Sequence, residues 1–334
     1  MIIIESEKLL GSSVDLTESS TLTVTDQRAI TIDENLVIAL TDNHTEQIAA
    51  VAGESLDKFG ATQPTLVEKK IGRPTALARV DCAIDPDSGK IFAYETDERP
   101  AGIGVTNAIG QIVLGHGIAK DVIAHLEEIF NTVPIVKRHP SERENDDSMV
   151  FNVEQTSEHF IKAKGRPVLV RGTPANLQHC TDLQEVAAQC SVSTISDEGK
   201  RQYRIATGHA TLLLPTSQLP DGSFVVKTLQ GSQAKGVAVC LTKADGKQLG
   251  GSSGSVSRAK VAGLVIKEGA LLAEPFIPGV AANMPGQKQG RLIMRIFCAV
   301  SANTIKVLGG TYVARPNHIV HGSSDAIAGL VTVD

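Results

Sequence analysis

Alternating apolar and polar positions predict a β-hairpin over residues 79–97. Apolar side chains occupy every second position of both arms, and the Pro-Asp-Ser-Gly run between the arms is typical of a tight turn. A register that places Ile84 opposite Phe92 and Cys82 opposite Tyr94 gives the hairpin one apolar face. We therefore expect a hairpin with one apolar and one polar face.

The same register brings charged side chains together on the polar face. Asp81 lies opposite Glu95, and Arg79 lies opposite Asp97. Two carboxylates directly opposite each other repel unless a cation or a shared proton lies between them. Clustered hard oxygen ligands suit Mg²⁺, which is held by one or two carboxylates together with substrate phosphates. The alternative is that Arg79 only neutralises Asp97 and the rest is a solvated face.

Elsewhere the pattern predicts a mixed α/β protein. Runs rich in β-branched residues indicate strands, and apolar residues at helical spacing indicate helices. The predicted elements are strands at 21–25, 29–32, 36–40, 132–137 and 167–171, and helices at 45–59, 118–130 and 183–189. Alternating strands and helices over about 110–195 predict a small α/β domain. Gly102–Gly110 lacks dinucleotide-loop spacing, so we interpret it as a loop and helix start near a substrate.

The C-terminal part predicts two further hairpins. Residues 224–239 read as a strand, a glycine-containing loop and a second strand, with Lys227 near the end of the first strand. Glycines let backbone N–H groups approach phosphates, but the loop lacks the G-x-x-x-x-G-K-[ST] pattern and by itself indicates an ordinary hairpin. Residues 291–300 and 305–308 are expected to pair as the second hairpin.

The composition narrows the class of protein. The 334 residues can bury a large core and suffice for two or three domains. A formal net charge of −5 and the lack of basic blocks argue against a nucleic-acid partner. Five widely spaced cysteines without C-x-x-C indicate buried thiols in a reducing compartment. No apolar run suits a membrane span or signal peptide, so we expect a soluble cytoplasmic protein without a membrane partner.

The order of charged residues in the first hairpin resembles a known metal-binding element. R-x-D, a turn, E-x-D and then R-P-x-G resemble the metal-binding end of ATP-grasp ligases such as D-alanine–D-alanine ligase and glutathione synthetase. On this resemblance Asp81, Glu95 and Asp97 bind Mg²⁺, and Arg79 contacts the reacting phosphoryl oxygens. The family's third metal ligand is usually Asn, where this chain has Asp97.

The C-terminal half resembles the nucleotide-binding part of the same family. The run L-L-A-E-P-F-I-P-G at 271–279 is similar to the strand that reads the adenine edge. The residues that match by pattern are Lys200 and Lys227 as ATP-binding lysines, Gly231, Ser232 and Gly236 in the phosphate-covering loop, Glu274, Phe276 and Ile277 at the adenine, and Arg295 and Arg315 at the phosphates or the substrate carboxylate. The resemblance therefore implies a cofactor role for ATP together with Mg²⁺.

The order of these motifs departs from that of ordinary ATP-grasp chains, because the metal acids come first. The chain resembles the circularly permuted, glutathionylspermidine synthase-like group. The implied class is α/β (α+β), an ATP-grasp fold in permuted order with a small α/β pre-ATP-grasp domain. The implied domains are a β-rich segment with the metal hairpin at 1–108, the small domain at 109–195 and the nucleotide-binding subdomains at 196–334.

The resemblance implies an ADP-forming, ATP-dependent C–N ligase acting on a small-molecule carboxylate and an amine. A substrate carboxylate would attack the γ-phosphate to give an acylphosphate, which the amine would then attack. Two alternatives stay open: a small-molecule kinase on the same fold, and a nucleotide-binding module without catalysis. The residues also leave a homo-oligomer open, and they do not identify the acid or the amine.

Overall fold

The computed structural model describes residues 1–25, 28–57, 66–97, 100–133, 135–138, 146–151, 153–155, 168–171, 210–229, 237–248, 255–316 and 326–333. Within these ranges, ten strands form one mixed sheet, four form an antiparallel sheet and three form a parallel sheet. Helices pack against the large sheet, so the mixed α/β class predicted from the sequence is confirmed.

The described elements alternate between strands and helices along the chain. The strands are β1 Ile2–Glu5, β2 Ser13–Asp15, β3 Ser20–Thr25, β4 Arg28–Leu40, β5 Leu77–Ile84, β6 Ile91–Asp97, β7 Ile135–Arg138, β8 Val153–Gln155, β9 Val168–Arg171, β10 Thr211–Leu213, β11 Phe224–Thr228, β12 Val237–Cys240, β13 Leu271–Pro275, β14 Val280–Met284, β15 Lys288–Val300, β16 Ile305–Arg315 and β17 Ile327–Val333. The helices are α1 Asp42–Asp57, α2 Leu66–Ile71, α3 Ile103–Leu114, α4 Ala119–Phe130, α5 Lys243–Gln248 and α6 Arg258–Glu268. Short 3₁₀ helices lie at Ser6–Leu9, Asp146–Met149 and Pro285–Gln287.

The large sheet joins strands from both ends of the chain. Its order is β1-β4-β17-β16-β15-β14-β2, with β3 beside β4 and the β5–β6 hairpin beside β15. β14 and β5 share one edge of β15: β14 pairs with its first half and β5 with its second half. The start of β14 therefore meets the end of β5. There the carbonyl oxygen of Leu292 would lie 2.5 Å from a Cβ at Gly279, and Gly279 also has a φ of +68°, so this close approach requires glycine.

Each face of the large sheet is covered by helix. On one face, Ile48 and Leu56 of α1 pack into the main core with Val80 and Cys82 of β5. On the opposite face, α3 contributes Val105 and Ile109 to a second core; that core also contains Ile293, Val313 and Leu330 from the sheet. Successive side chains of a strand point to opposite faces, so these two cores define which residues share a face.

A four-stranded antiparallel sheet, in the order β10-β13-β11-β12, carries a separate core. Phe224, Val226 and Leu271 are buried in it against Val261 and Val265 of α6. The chain leaves this sheet at the end of β13 and enters the large sheet at β14 after four residues, 276–279. This short connection keeps the two sheets close to each other at that point.

The structure corrects several predicted element boundaries. The strands expected at 29–32 and 36–40 are one strand, β4, because Asp33, Glu34 and Asn35 continue the extended backbone through an irregularity in its pairing with β17. The helix expected at 45–59 begins at Asp42 and ends within the described residues at Asp57. The helix at 118–130 and the helix start after Gly102 are confirmed. The helix expected at 183–189 lies outside the described residues.

The domain boundaries expected after residues 108 and 195 stay predictions. Strands from residues 2–97 and 280–333 form one sheet, while three short parallel strands lie between residues 135 and 171. None of the described helices combines the length and hydropathy needed to cross a membrane.

Candidate functional site

A row of polar side chains crosses four neighbouring strands of the large sheet. Asp81 of β5 lies directly opposite Glu95 of β6 on one side and Arg295 of β15 on the other. Arg295 in turn lies opposite Thr311 of β16. The Nε atom of Arg295 is 3.8 Å from Oδ2 of Asp81. Because Arg295 alternates with residues of the main core, we place this row on the α3 side of the sheet.

Arg79 holds the carboxylate of Asp81 from within the same strand. Its Nε and Nη2 donate hydrogen bonds of 2.6 and 3.1 Å to the two carboxylate oxygens of Asp81, and its Nη1 donates to the carbonyl oxygen of Ala101 at 2.5 Å. Nη2 is also 3.6 Å from Oδ2 of Asp97. Burial disfavours the charged guanidinium, but the carboxylates of Asp81 and Asp97 outweigh it and raise the pKa of Arg79 above its ordinary value.

The structure shows one of the two expectations for Arg79, and its expected contact with phosphoryl oxygens stays a prediction. The expected pairing of Arg79 with Asp97 is present, and a two-point interaction with Asp81 adds to it. The side chains of Arg79 and Asp81 are only 11% and 14% exposed, whereas Glu95 is exposed. The charged row thus combines the carboxylate of Asp81, whose position is fixed, with the carboxylate of Glu95, which can reach a ligand.

The predicted hairpin register is correct at its charged end and wrong at its turn end. Arg79 faces Asp97 and Asp81 faces Glu95 as expected, but a β-bulge follows Asp81, so Cys82 faces Ala93 and not Tyr94. Ile84 correspondingly faces Ile91 rather than Phe92. A bulge inserts one unpaired residue and re-aims its side chain. Here the extra residue is Tyr94, which packs against the second core instead of the main one.

Tyr94 connects the charged hairpin to the segment expected at the adenine. Its Oη donates a hydrogen bond of 2.8 Å to the carbonyl oxygen of Ile277. Phe276 in turn donates its backbone N–H to the carbonyl oxygen of Ser223 at 3.1 Å, which ties the segment to the start of β11. The expected adenine segment and the expected metal hairpin are therefore in direct contact.

Lys227 and Glu274 form an ion pair across β11 and β13. The Nζ atom of Lys227 donates to Oε2 of Glu274 at 2.8 Å, and the two side chains are 29% and 2% exposed. Val225 lies opposite Glu274, so Lys227 is the diagonal neighbour two residues along the same face. The sequence did not predict this pair. Lys200, Gly231, Ser232 and Gly236 lie outside the described residues, so their expected roles stay predictions.

Arg315 lies on the same face of the sheet as Arg295, and the structure places a further arginine beside it. Arg291 of β15 lies directly opposite Arg315 of β16. Sequence reasoning missed Arg291. The available signal was its position four residues before Arg295 in a predicted strand, because residues an even number apart share a face.

The acids can be tested against the Mg²⁺ that the family resemblance implies. Among the described residues, no three His, Cys, Asp or Glu side chains converge as a ready-made metal site. Mg²⁺ needs no such cage, because one or two carboxylates and the substrate phosphates suffice. Asp81 and Glu95 lie directly opposite each other and supply two hard oxygen ligands, so the residues present fit this mode of binding.

The α3 helix begins near the charged row, and two N–H groups at its start are already occupied. Gly102, at a φ of +94°, precedes the helix. The two carboxylate oxygens of Asp146 accept hydrogen bonds from the N–H groups of Gly102 at 3.1 Å and Val105 at 2.8 Å. Asp146 thus takes the place that an anionic ligand would take at this helix start, which leaves the strand face as the site.

Comparisons with solved structures find chains of similar structure. No protein-family model matches the sequence, and no curated protein matches it. The structure is similar to the crystal structure of a "Putative gamma-glutamylcysteine synthetase" from Methylobacillus flagellatus KT, with a TM-score of 0.39, 12% sequence identity and 85% of each chain covered. A similarity at this TM-score supports no argument about function. The proposed function therefore rests on the geometry of the site.

Proposed function

We propose that this protein is an ATP-dependent carboxylate–amine ligase that forms ADP through an acylphosphate. The observation that carries the proposal is the row Glu95–Asp81–Arg295, in which two opposed carboxylates adjoin an arginine on one sheet face. Acids that bind a phosphate-bound cation, next to a guanidinium that binds oxyanions, match the needs of phosphoryl transfer. The order of motifs in the sequence also supports this proposal, because it resembles that of a circularly permuted ATP-grasp fold.

In this proposal Asp81 and Glu95 hold Mg²⁺ together with the phosphates of ATP. The bound ion would supply charge neutralisation for the phosphates. Arg79 keeps the Asp81 carboxylate in position through its two hydrogen bonds. Asp97 then serves as a second counter-charge for Arg79, whose Nη2 lies 3.6 Å from its Oδ2.

Lys227 and the 276–279 segment supply the nucleotide contacts in this proposal. An ammonium group has three N–H donors, so Lys227 can keep its bond to Glu274 and still donate to a phosphate. The N–H of Phe276 and the carbonyl of Ile277 already have partners, so the other backbone groups of this segment would read the adenine edge. Tyr94 would hold that segment at a fixed distance from the metal acids through its bond to Ile277.

The chemistry then requires positioning rather than a side-chain nucleophile. A substrate carboxylate oxygen attacks the γ-phosphorus, the bond to the β-phosphate oxygen breaks and ADP leaves. The amine nitrogen attacks the acyl carbon, inorganic phosphate leaves, and the amine loses a proton. Arg295 and Arg315 lie on the face where they can bind the oxyanions that form in these steps.

The proposal is tested by trapping the acylphosphate. Protein, ATP and Mg²⁺ are incubated with hydroxylamine and pools of carboxylic acids, and hydroxamate and ADP are measured. We expect hydroxamate from at least one pool, and its loss in Glu95→Gln. A stable phosphate ester in place of hydroxamate would indicate a kinase. Tight Mg·ATP binding without ADP formation from any pool would indicate a binding module.

A further inference from the structure

Helix α1 holds the turn end of the β5–β6 hairpin through two side chains. The Nε2 atom of His44 lies 2.7 Å from the carbonyl oxygen of Gly89. The Oε1 atom of Gln47 accepts a hydrogen bond of 2.9 Å from the backbone N–H of Ile91. Among the described strands β6 pairs with β5 alone, so its position depends on contacts of this kind.

The contact of His44 with Gly89 belongs to a buried chain of hydrogen bonds. A carbonyl oxygen only accepts, so the Nε2 atom of His44 carries the proton of this bond. In the neutral ring Nδ1 accepts a hydrogen bond of 2.6 Å from the hydroxyl of Ser6, whose oxygen accepts the backbone N–H of Thr41 at 3.1 Å. Ser6 and His44 are both 0% exposed. Moving the Gly89 carbonyl would therefore leave a buried N–H of His44 unpaired, which costs free energy.

The charged end of the hairpin is held by other contacts. Ser55 of α1 accepts a hydrogen bond of 3.1 Å from the hydroxyl of Thr96, and Arg79 lies opposite Asp97. The pairing at this end is one residue out of step with the pairing at the turn. Because both ends are fixed, the extra residue between them, Tyr94, has to bulge.

The register predicted from alternation shows what the turn contacts prevent. In that register Cys82 faces Tyr94, no residue bulges, and the tyrosine ring shares the main-core face with Cys82. Reaching it moves the turn end of β6 by one residue, which is about 3.4 Å along the strand. A shift of that size breaks the bonds made by His44 and Gln47. It also takes the Tyr94 hydroxyl away from the carbonyl oxygen of Ile277.

We infer that His44 is a positioning residue, which pins the turn end of the hairpin and so keeps Tyr94 in the bulge with its hydroxyl on Ile277. The inference rests on the proposed function for what this contact serves, namely the spacing between the adenine segment and the metal acids. The imidazole of His44 bonds to Ser6 and Gly89, so it acts on the proposed site through the hairpin.

The position of Tyr94 is measured by fluorine NMR of the full chain labelled with fluorotyrosine. The chain has three tyrosines, and the Tyr94 signal is the one that Tyr94→Phe removes. His44→Gln keeps an amide N–H donor near the place of Nε2 and can still bond to Gly89. His44→Asn has a shorter side chain and can only replace the bond to Ser6. Mg·ATP affinity of each variant is measured by calorimetry.

The matched control is a second histidine that bonds to backbone carbonyls away from the turn. The Nε2 atom of His125 lies 3.1 Å from the carbonyl oxygens of Ala76 and Val300, so His125→Asn removes the same kind of contact elsewhere. Gln47→Ala removes the second turn contact from a partly buried position and is tested beside the His44 variants. Urea-unfolding midpoints check that each variant is folded.

We expect the Tyr94 signal to move in His44→Asn and Gln47→Ala, and to keep its wild-type chemical shift in His44→Gln and His125→Asn. Mg·ATP affinity should fall about tenfold in both Tyr94→Phe and His44→Asn, which is the effect of one lost hydrogen bond. The double variant should bind no more weakly than either single variant, because both changes remove the same contact. An unmoved Tyr94 signal in His44→Asn and Gln47→Ala, an equal movement in His125→Asn, or additive losses of affinity would overturn the inference.

The two readouts separate this inference from the proposed function, because the NMR signal of Tyr94 needs no nucleotide. A signal that moves in His44→Asn and is restored in His44→Gln, combined with no Mg·ATP binding by wild type, would keep the hold of His44 on Tyr94 and remove the ligase. Wild-type Mg·ATP affinity and hydroxamate formation in His44→Asn, with the Tyr94 signal displaced, would keep the ligase and overturn the positioning role of His44.

Discussion

Tyr94 and Ile277 are joined by a hydrogen bond of 2.8 Å across 183 residues of chain. The donor is the residue that the β-bulge turns away from the main core, and the acceptor is a backbone carbonyl between the two sheets. The contact exists only because β14 and the hairpin share one edge of β15. It links the segment proposed to bind adenine with the acids proposed to bind the metal.

Tyr94→Phe should separate these two regions without unfolding the protein. Removing the hydroxyl leaves the Ile277 carbonyl without this donor, which should lower the free energy of unfolding by about 1–2 kcal/mol. If the contact sets the spacing of the ATP site, Mg·ATP affinity should fall as well. Urea unfolding and calorimetry measure the two effects. Phe92→Leu, which removes the ring contact of Tyr94 and keeps its hydroxyl, is the comparison variant. An unchanged Mg·ATP affinity in Tyr94→Phe would contradict a role for the contact in spacing.

Asp81→Asn and Glu95→Gln should have different effects on stability and the same effect on binding. Asp81 accepts two hydrogen bonds from a nearly buried guanidinium, so Asp81→Asn should lower the free energy of unfolding by about 2–4 kcal/mol. Glu95 is exposed, so Glu95→Gln should change stability by no more than about 0.5 kcal/mol. Both should weaken Mg·ATP binding, measured by calorimetry.

The matched control for Glu95→Gln is Asp87→Asn. Asp87 is an exposed acid in the turn of the same hairpin, away from the charged row. Its variant removes the same charge and should leave Mg·ATP affinity unchanged. Equal affinities in Glu95→Gln and wild type would show that this acid is part of a solvated face.

Replacing Lys227 should lower the free energy of unfolding more than replacing Glu274. Glu274 is almost fully buried, so Lys227→Met leaves a buried carboxylate without its cation and should cost about 2–3 kcal/mol. In Glu274→Gln the ammonium of Lys227, which is 29% exposed, can turn to water, so the cost should be about 1 kcal/mol or less. Urea unfolding of both variants measures the difference. Equal losses of unfolding free energy in the two variants would mean that the burial of Glu274 does not determine how strongly each variant is destabilised.

Stability should fall at alkaline pH because of buried thiols. Burial raises the pKa of Cys298 to about 12 from an ordinary value of 9.0. Between these two values the unfolded chain loses the thiol proton and the folded chain keeps it, so unfolding is favoured as the pH rises. The difference in unfolding free energy between wild type and Cys298→Ala should therefore shrink by about 1.4 kcal/mol per pH unit above pH 9. Urea unfolding at pH 8, 9.5 and 10.5 tests this. A constant difference would mean that burial does not raise the pKa of Cys298 in the folded protein.

Local patterns in the sequence determined the parts of the protein that depend on neighbouring residues. Alternation and a Pro-Asp-Ser-Gly turn sufficed to pair Asp81 with Glu95 and Arg79 with Asp97, because a short turn leaves a hairpin few registers. Helical spacing of apolar residues placed α4 within one residue of its observed start. The same patterns predicted the β15–β16 hairpin.

Contacts between distant segments decided the rest. The bulge at Tyr94 cannot be read from alternation, because the inserted residue gains its partner only when Ile277 arrives from another part of the chain. The pairing of Asp81 with Arg295 depends on which strand lies beside β15. Lys227 and Glu274 meet for the same reason, since a strand fixes the direction of its side chains while the sheet chooses their neighbours. Sequence thus determined which residues could form the site, and only the tertiary structure decided which of them meet.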